Sequence, residues 1–290
     1  MKRLVSTDTS AAFNYDLFKK QGINTFALNV IVDGEEYLDG ITINQDTLRD
    51  AMRSGKNIKT STPPLGEVIE YFENLFSQGY DEIIHFTISS KFSSMYNLFN
   101  GVAETHFPGK LFVVDSYGVT VTMLAQVLLA NEEVKKGTDT QTILKMVDEI
   151  KEDCKITFVP ENLTALKNGG RISPTIALIG NVLGIKPVIA LMDGGLEKEG
   201  TTKQVRKTII ETATSSLQRF PISDYEYNLV SFDAKPEVVE YIKNNVAQAC
   251  GLDEVLVGLV PVNVCAHCGP GTLGLIITRK INGKSIKEFF

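Results

Sequence analysis

Short apolar runs alternate with amphipathic stretches along most of this 290-residue chain, the rhythm of an α/β protein. Arg3–Thr7 (RLVST) predicts a strand ending in a polar turn. Thr25–Val32 (TFALNVIV) predicts a second strand, followed by the tight-turn signal Asp33-Gly34. A short helix is expected over Asp46–Met52. Over Leu65–Phe76, the residues Val68, Ile69, Phe72, Leu75 and Phe76 recur at helical spacing and form one apolar face. Glu82–Ile88 and Lys110–Asp115 read as strands. Gly118–Lys136 and Thr140–Glu152 read as helices, the second with Asp139 positioned as its N-cap. Lys155–Val159 closes this half with a strand.

The second half repeats the alternation less regularly. A short helix over Asn162–Lys167 ends at Gly169-Gly170, a C-cap signal. Ser173-Pro174 reads as an N-cap with proline in the first turn, opening an apolar helix through Leu183. Strands Pro187–Met192 and Glu197–Thr201 flank the hairpin signal Asp193-Gly194-Gly195. A helix from Lys203 to Gln218, a strand Asn228–Asp233, a helix Pro236–Cys250 and strands Glu254–Val264 and Thr272–Thr278 complete the pattern. The expected organisation is two α/β domains, 1–160 and 161–290, with no low-complexity linker between them.

The stretch VCAHCGPGTLG (Val264–Gly274) offers three chemistries at once. Its GxGxxG lacks the context of a dinucleotide fingerprint, because a strand-like run follows and the chain has no room for the required helix and second strand. Its CxxC (Cys265, Cys268) has no second pair to complete a zinc site, Cys154 and Cys250 standing alone. A redox pair sits at a helix start, which Gly269-Pro270-Gly271 is expected to forbid. A Gly-Pro-Gly loop between two strands remains, with His267 at its mouth. It is either a plain hairpin with a surface histidine or a place where backbone approaches a ligand. Thr60-Ser61-Thr62-Pro63-Pro64 and Ser89-Ser90-Lys91-Phe92-Ser93-Ser94 pose the same choice, as anion sites at strand-to-helix turns or as simple N-caps.

Composition narrows the partners. The formal net charge of -6 and the lack of a basic run argue against a nucleic acid. The N-terminal stretch turns polar after five residues, too soon for a signal peptide, and no apolar run reaches the ~18 residues of a membrane span. A cytoplasmic location with four reduced cysteines is expected.

Several segments, taken in order, resemble the DegV family of fatty-acid-binding proteins, many of which are FakB-type subunits of bacterial fatty-acid kinase. They are Asp8-Thr9-Ser10, Tyr37-Leu38-Asp39-Gly40, Thr60-Ser61-Thr62-Pro63, Ser89-Ser90-Lys91-Phe92-Ser93 and Val114-Asp115-Ser116. Gly169-Gly170-Arg171-Ile172-Ser173, Gly184-Ile185-Lys186-Pro187 and Ala266-His267-Cys268-Gly269-Pro270-Gly271 continue the series, which covers nearly the whole chain. The resemblance implies a two-domain α/β lipid carrier that is not itself an enzyme and needs no cofactor or metal. A long-chain fatty acid would place its carboxylate at the domain interface. Thr60, Ser61 and Ser93 would give it hydroxyls, with His267 close by and Arg171 supplying positive charge. Ile172, Ile176, Ile179 and Leu183 would wall an acyl tunnel, a role that ordinary core packing fits equally. A separate kinase protein would phosphorylate the carboxylate, and the acyl phosphate would enter phospholipid synthesis. The segment TTKQVRK departs from the family: Lys203 stands at an arginine position, and Arg206-Lys207 take the place of paired lysines. Cys265 and Cys268 also lie outside the family pattern.

A competing reading is a serine-dependent acyl hydrolase or transferase, with Ser93 or Ser61 as nucleophile and His267 as base. It lacks a GxSxG elbow.

Overall fold

The structure is a computed structural model that describes residues 1–172 and 184–290. The predicted helix from Ser173 to Leu183, with the tunnel positions Ile176, Ile179 and Leu183, lies outside the described residues.

Four strands run parallel in the order β2 (Asn24–Phe26), β1 (Arg3–Asp8), β6 (Glu82–Thr87) and β7 (Leu111–Asp115). The two central strands are buried over five of their six residues, as expected where helices cover both faces. Helices α1 (Tyr15–Gln21), α2 (Gln45–Arg53), α3 (Leu65–Ser77) and α4 (Met95–His106) follow in this half. Asn14 and Asn44 cap the first two through their side-chain oxygens. A small antiparallel sheet, β4 (Glu35–Leu38), β3 (Asn29–Val32) and β5 (Ile58–Ser61), lies beside them.

The pattern predicted one strand over 25–32, but the chain makes two that belong to different sheets. The crossing falls at Leu28, whose N–H donates to Thr9 Oγ1 at 3.2 Å and whose carbonyl accepts from Asp39. Tertiary hydrogen bonds thus divide a run that is continuous in hydropathy.

The larger sheet has the order β10 (Gly195–Thr202), β9 (Lys186–Met192), β8 (Lys155–Val159), β13 (Thr272–Arg279), β11 (Tyr225–Phe232) and β12 (Leu256–Leu259). All its neighbours are antiparallel except β11 and β12. The strand over 155–159, expected to close the first half, pairs instead with β13 and β9 in this sheet.

Helix α5 (Val121–Lys136) is buried along most of its length and packs against β1 on one side and β13 on the other. Helix α6 (Thr140–Ile150) lies against it, capped by Asp139, which accepts from Thr142 N at 3.0 Å. One apolar core therefore runs from Val5, Ile84 and Phe99 to Val230, Ile276 and Phe289. A second core fills the opposite face of the six-stranded sheet, under α8 (Val205–Ser216) and α9 (Pro236–Cys250). The short α7 (Thr164–Asn168) follows β8. Among the described residues no helix is long and apolar enough to cross a membrane.

The strand predicted over 254–264 is a correction. Pairing stops at Leu259, and Val262–Cys268 forms helix α10. Pro261 cannot donate to a ladder and sits immediately before the helix. The Asp39 carboxylate accepts from Val262 N at 3.1 Å and Asn263 N at 3.2 Å, which closes the helix start. Gly-Pro-Gly terminates this helix at Gly269 (φ 77°) rather than forbidding it.

Candidate functional site

A cavity opens between the parallel sheet, the small antiparallel sheet and the six-stranded sheet. Leu28, Ile88, Ile156, Phe158, Leu191 and Ile276 give it apolar walls. Thr60, Ser61, Ser93, Arg171 and His267 all line the same space, although they are scattered over more than two hundred positions of sequence. Of the predicted tunnel residues, Ile172 packs against Leu163, Leu166 and Ile189, and Leu166 also lines the cavity.

Each polar group is placed by local structure. Thr60 and Ser61 end β5, held in register by Val30 and Asn29 of β3. Ser93 lies in the turn after β6, where its Oγ accepts from Met95 N at 3.3 Å as α4 begins. Its hydroxyl thus does the work of a local cap while keeping its own proton to donate. His267 occupies the last turn of α10, and its Nε2 lies 2.9 Å from Thr60 Oγ1. The other ring nitrogen, Nδ1, has no partner among the described residues and faces Gly169, where a Cβ would collide with it.

Arg171 follows the turn after α7. Its Nε donates to Phe92 O at 3.1 Å and its Nη1 donates to Gly169 O. The residue is half-buried, and burial lowers its pKa. Among the described residues it has no carboxylate partner. His267 is lowered to about 4, first by burial and then by the charge of Arg171, so its imidazole is neutral at neutral pH. The polar cluster therefore presents hydroxyls, a neutral imidazole and an uncompensated guanidinium to an apolar space. Such a set has the chemistry to receive an anion and offers no charged base.

A serine nucleophile finds no support in this geometry. The imidazole bonds to a threonine, and no carboxylate meets its free nitrogen among the described residues. The CxxC sits on α10 with both thiols buried, Cys268 against the cavity and Cys265 behind it. Burial, followed by the neighbouring Cys268, pushes the Cys265 thiol up, away from reactive thiolate. Among the described residues no three His, Cys, Asp or Glu side chains gather as metal ligands.

Residues 2–280 match the family model described as an uncharacterised protein of the DegV family, COG1307. The chain belongs to the DegV family. A DegV domain-containing protein of Staphylococcus aureus (strain N315) is 28% identical over 282 residues, covering 96% of this chain and 99% of its own length. One from Clostridium acetobutylicum is 27% identical over 278 residues, 94% and 98% of the two chains.

Solved DegV structures share the mixed α/β fold. A fatty-acid-binding DegV protein from Streptococcus agalactiae superposes with a TM-score of 0.87 at 23% identity, covering 97% of this chain and 99% of that one. A DegV protein from Thermus thermophilus, described for its fatty acid binding, gives 0.86 at 24%, over 96% and 100%. A stearic acid-binding protein from Eubacterium ventriosum gives 0.85 at 23%, over 97% and 99%.

In this DegV chain one sequence motif hides a structural role. Asp39, quoted only as part of a motif, is the carboxylate that caps α10, and Tyr15 donates its hydroxyl to it. Asp39 is fully buried and Tyr15 partly so, and burial raises Asp39 to about 6. Asn263 and Thr120 also line the cavity. The misread helix concealed the first, and nothing local marks the second.

Proposed function

We propose that this DegV chain binds one long-chain fatty acid as a carrier without catalytic turnover of its own. The tail lies in the apolar cavity, and the carboxylate meets the hydroxyls of Thr60, Ser61 and Ser93, with His267 and Arg171 beside it. The observation that carries this reading is Arg171, a half-buried cation with no carboxylate partner among the described residues, at the edge of an apolar space. A desolvated charge without a counter-ion is costly, and an anionic head group removes that cost. An apolar cavity behind the cation asks that the anion carry a hydrocarbon. Relatives of the same fold described as binding fatty acids support the same ligand.

The acyl chain supplies most of the affinity. At ~0.8 kcal/mol per buried methylene, a chain of ~16 carbons offers roughly 12 kcal/mol gross, and ordering the chain removes part of it. Hydroxyl donors fix the carboxylate without a permanent ion pair and leave one oxygen free to react.

That oxygen is presented to a partner kinase for acyl-phosphate formation. Phosphoryl transfer depends mainly on positioning and electrostatics, so the carrier needs no nucleophile of its own. The Pro270-Gly271 turn borders a second, cationic cleft. There Arg53, Lys186 and Lys207 are paired with Asp233, Glu161 and Glu211, whereas Lys203, Arg206 and Lys235 have no carboxylate partner among the described residues. This face suits an acidic partner.

The test is mass spectrometry of lipid released when the purified protein is denatured. One long-chain acid, held without a covalent bond, is the expected result. A covalent acyl group on serine, or no lipid and no binding of added acid, overturns the reading.

A further inference from the structure

The tip of the β9–β10 hairpin is a part of the cavity wall that its own sheet does not hold. Strand β10 is the edge of that sheet, and β9 pairs with β8 only at Ile189 and Ala190. Beyond Ala190 the chain pairs with itself alone, Leu191 with Leu196 and Met192 with Gly195. A two-stranded ribbon is marginal by itself in water. Asp193 (φ 49°) and Gly194 (φ 74°) turn the ribbon back as a tight two-residue loop, so the tip is a preformed unit. It leans on the other large sheet. Gly194 is buried, and its carbonyl accepts from Ser89 Oγ at 2.6 Å in the turn after β6. A Cβ at Gly194 would meet that Oγ and the Tyr117 ring at 2.9 Å, so the seating is close. Among the described residues it is the one hydrogen bond from outside the hairpin to the tip, Met192–Gly195.

We infer that this hairpin tip is the gate through which the acyl ligand enters and leaves, latched shut by Ser89. The inference rests on the fatty-acid reading above and adds how that site is filled and emptied. Leu191 and Leu196 of the ribbon line the cavity, as do Phe92 and Ser93 of the turn that Ser89 begins. Beside them Lys91 and Met192 are exposed, so the seam between ribbon and turn has the cavity on one side and water on the other. The two large sheets share one core through α5 and do not part, whereas the ribbon lifts by breaking one side-chain hydrogen bond. Such a bond is worth little net, and both leucines are only half-buried, so opening exposes little new apolar surface. The latch also sits on the turn that delivers Ser93 to the head group, so seating the tip and completing the carboxylate site are one event.

The experiment cross-links the gate. A Cβ at Gly195 would lie 3.9 Å from the Lys91 Cβ, the separation that a disulfide uses. The double variant Lys91→Cys, Gly195→Cys is oxidised, and the bridge is verified by mass. Transfer of a radiolabelled saturated sixteen-carbon acid is then timed, out of loaded protein into excess phosphatidylcholine vesicles and back into delipidated protein. Both rates should fall at least about tenfold on cross-linking and return on reduction. Ser89→Ala keeps the inference open to test should the bridge not form. It removes the latch and should speed release about fivefold, and an unchanged rate counts against the gate. If the cross-linked protein exchanges as fast as wild type, or the oxidised single variants slow as much as the double, the inference fails while the fatty-acid reading stands. If neither wild type nor the reduced variant takes up the acid, both fall together.

Discussion

Arg171 carries opposite consequences for binding and for stability. Its guanidinium is held by two backbone carbonyls, of Phe92 and Gly169, and by no carboxylate among the described residues. Arg171→Met removes a half-buried charge, so the ligand-free variant should be at least as stable as wild type in thermal melts. Fatty-acid retention should weaken by about 1.5–3 kcal/mol, the range for a hydrogen bond to a charged group. A variant that loses stability and keeps its lipid would remove Arg171 from the head-group site. Neighbouring residues explain why such a role is not readable locally. Ser93 accepts from Met95 N, as an ordinary cap would, and only the fold turns its remaining donor toward the same space as Thr60.

At the scale of elements, α10 is the piece on which the site depends. Its start is closed by Asp39 from β4's end, and its last turn carries His267 onto Thr60. Asp39→Ala leaves the N–H groups of Val262 and Asn263 without their carboxylate and should cost roughly 2–4 kcal/mol in denaturant unfolding. It should also weaken lipid retention, because the imidazole loses its support. Retention at wild-type affinity in a protein that destabilised would detach the helix from the site. The same helix shows where sequence reading ends. Helices with local signals were legible: Pro236–Cys250 matches its predicted span, and Asp139 caps α6 as expected. Val262–Cys268 reads as strand and loop because its run is short, apolar and β-branched, and its capping carboxylate lies more than two hundred residues away. The break at Leu28 escaped for the same reason, since Thr9 and Asp39 make it.

For the whole molecule, buried titratable groups set the pH response. Glu226 on β11 accepts from Ile286 N through both oxygens, at 3.2 and 3.0 Å, and burial raises it from 4.5 to about 7. A raised carboxyl pKa means that the folded state holds the proton more tightly. This contribution is fully present below the unfolded value and is lost as pH rises through about 7. Asp8 and Asp39, each raised to about 6, act in the same direction. His85 and His267, lowered to about 3 and about 4, act oppositely, losing stability as pH falls below 6.5. Comparing wild type with Glu226→Gln isolates one group. Wild type should lose about 1–3 kcal/mol more than the variant between pH 4.5 and 8 in urea titrations. Parallel curves would show that the carboxyl is not perturbed.

Helix α5 packs against β1 and β13 at once, so a single continuous core spans both large sheets. A clamshell motion of one sheet away from the other would therefore tear open that core and expose Val121, Leu124 and Leu128 to water. On the fatty-acid reading proposed above, a bound acid would thread in and out while the body stays shut. Its exchange rate would then be set at the mouth of the cavity and not by separation of the sheets.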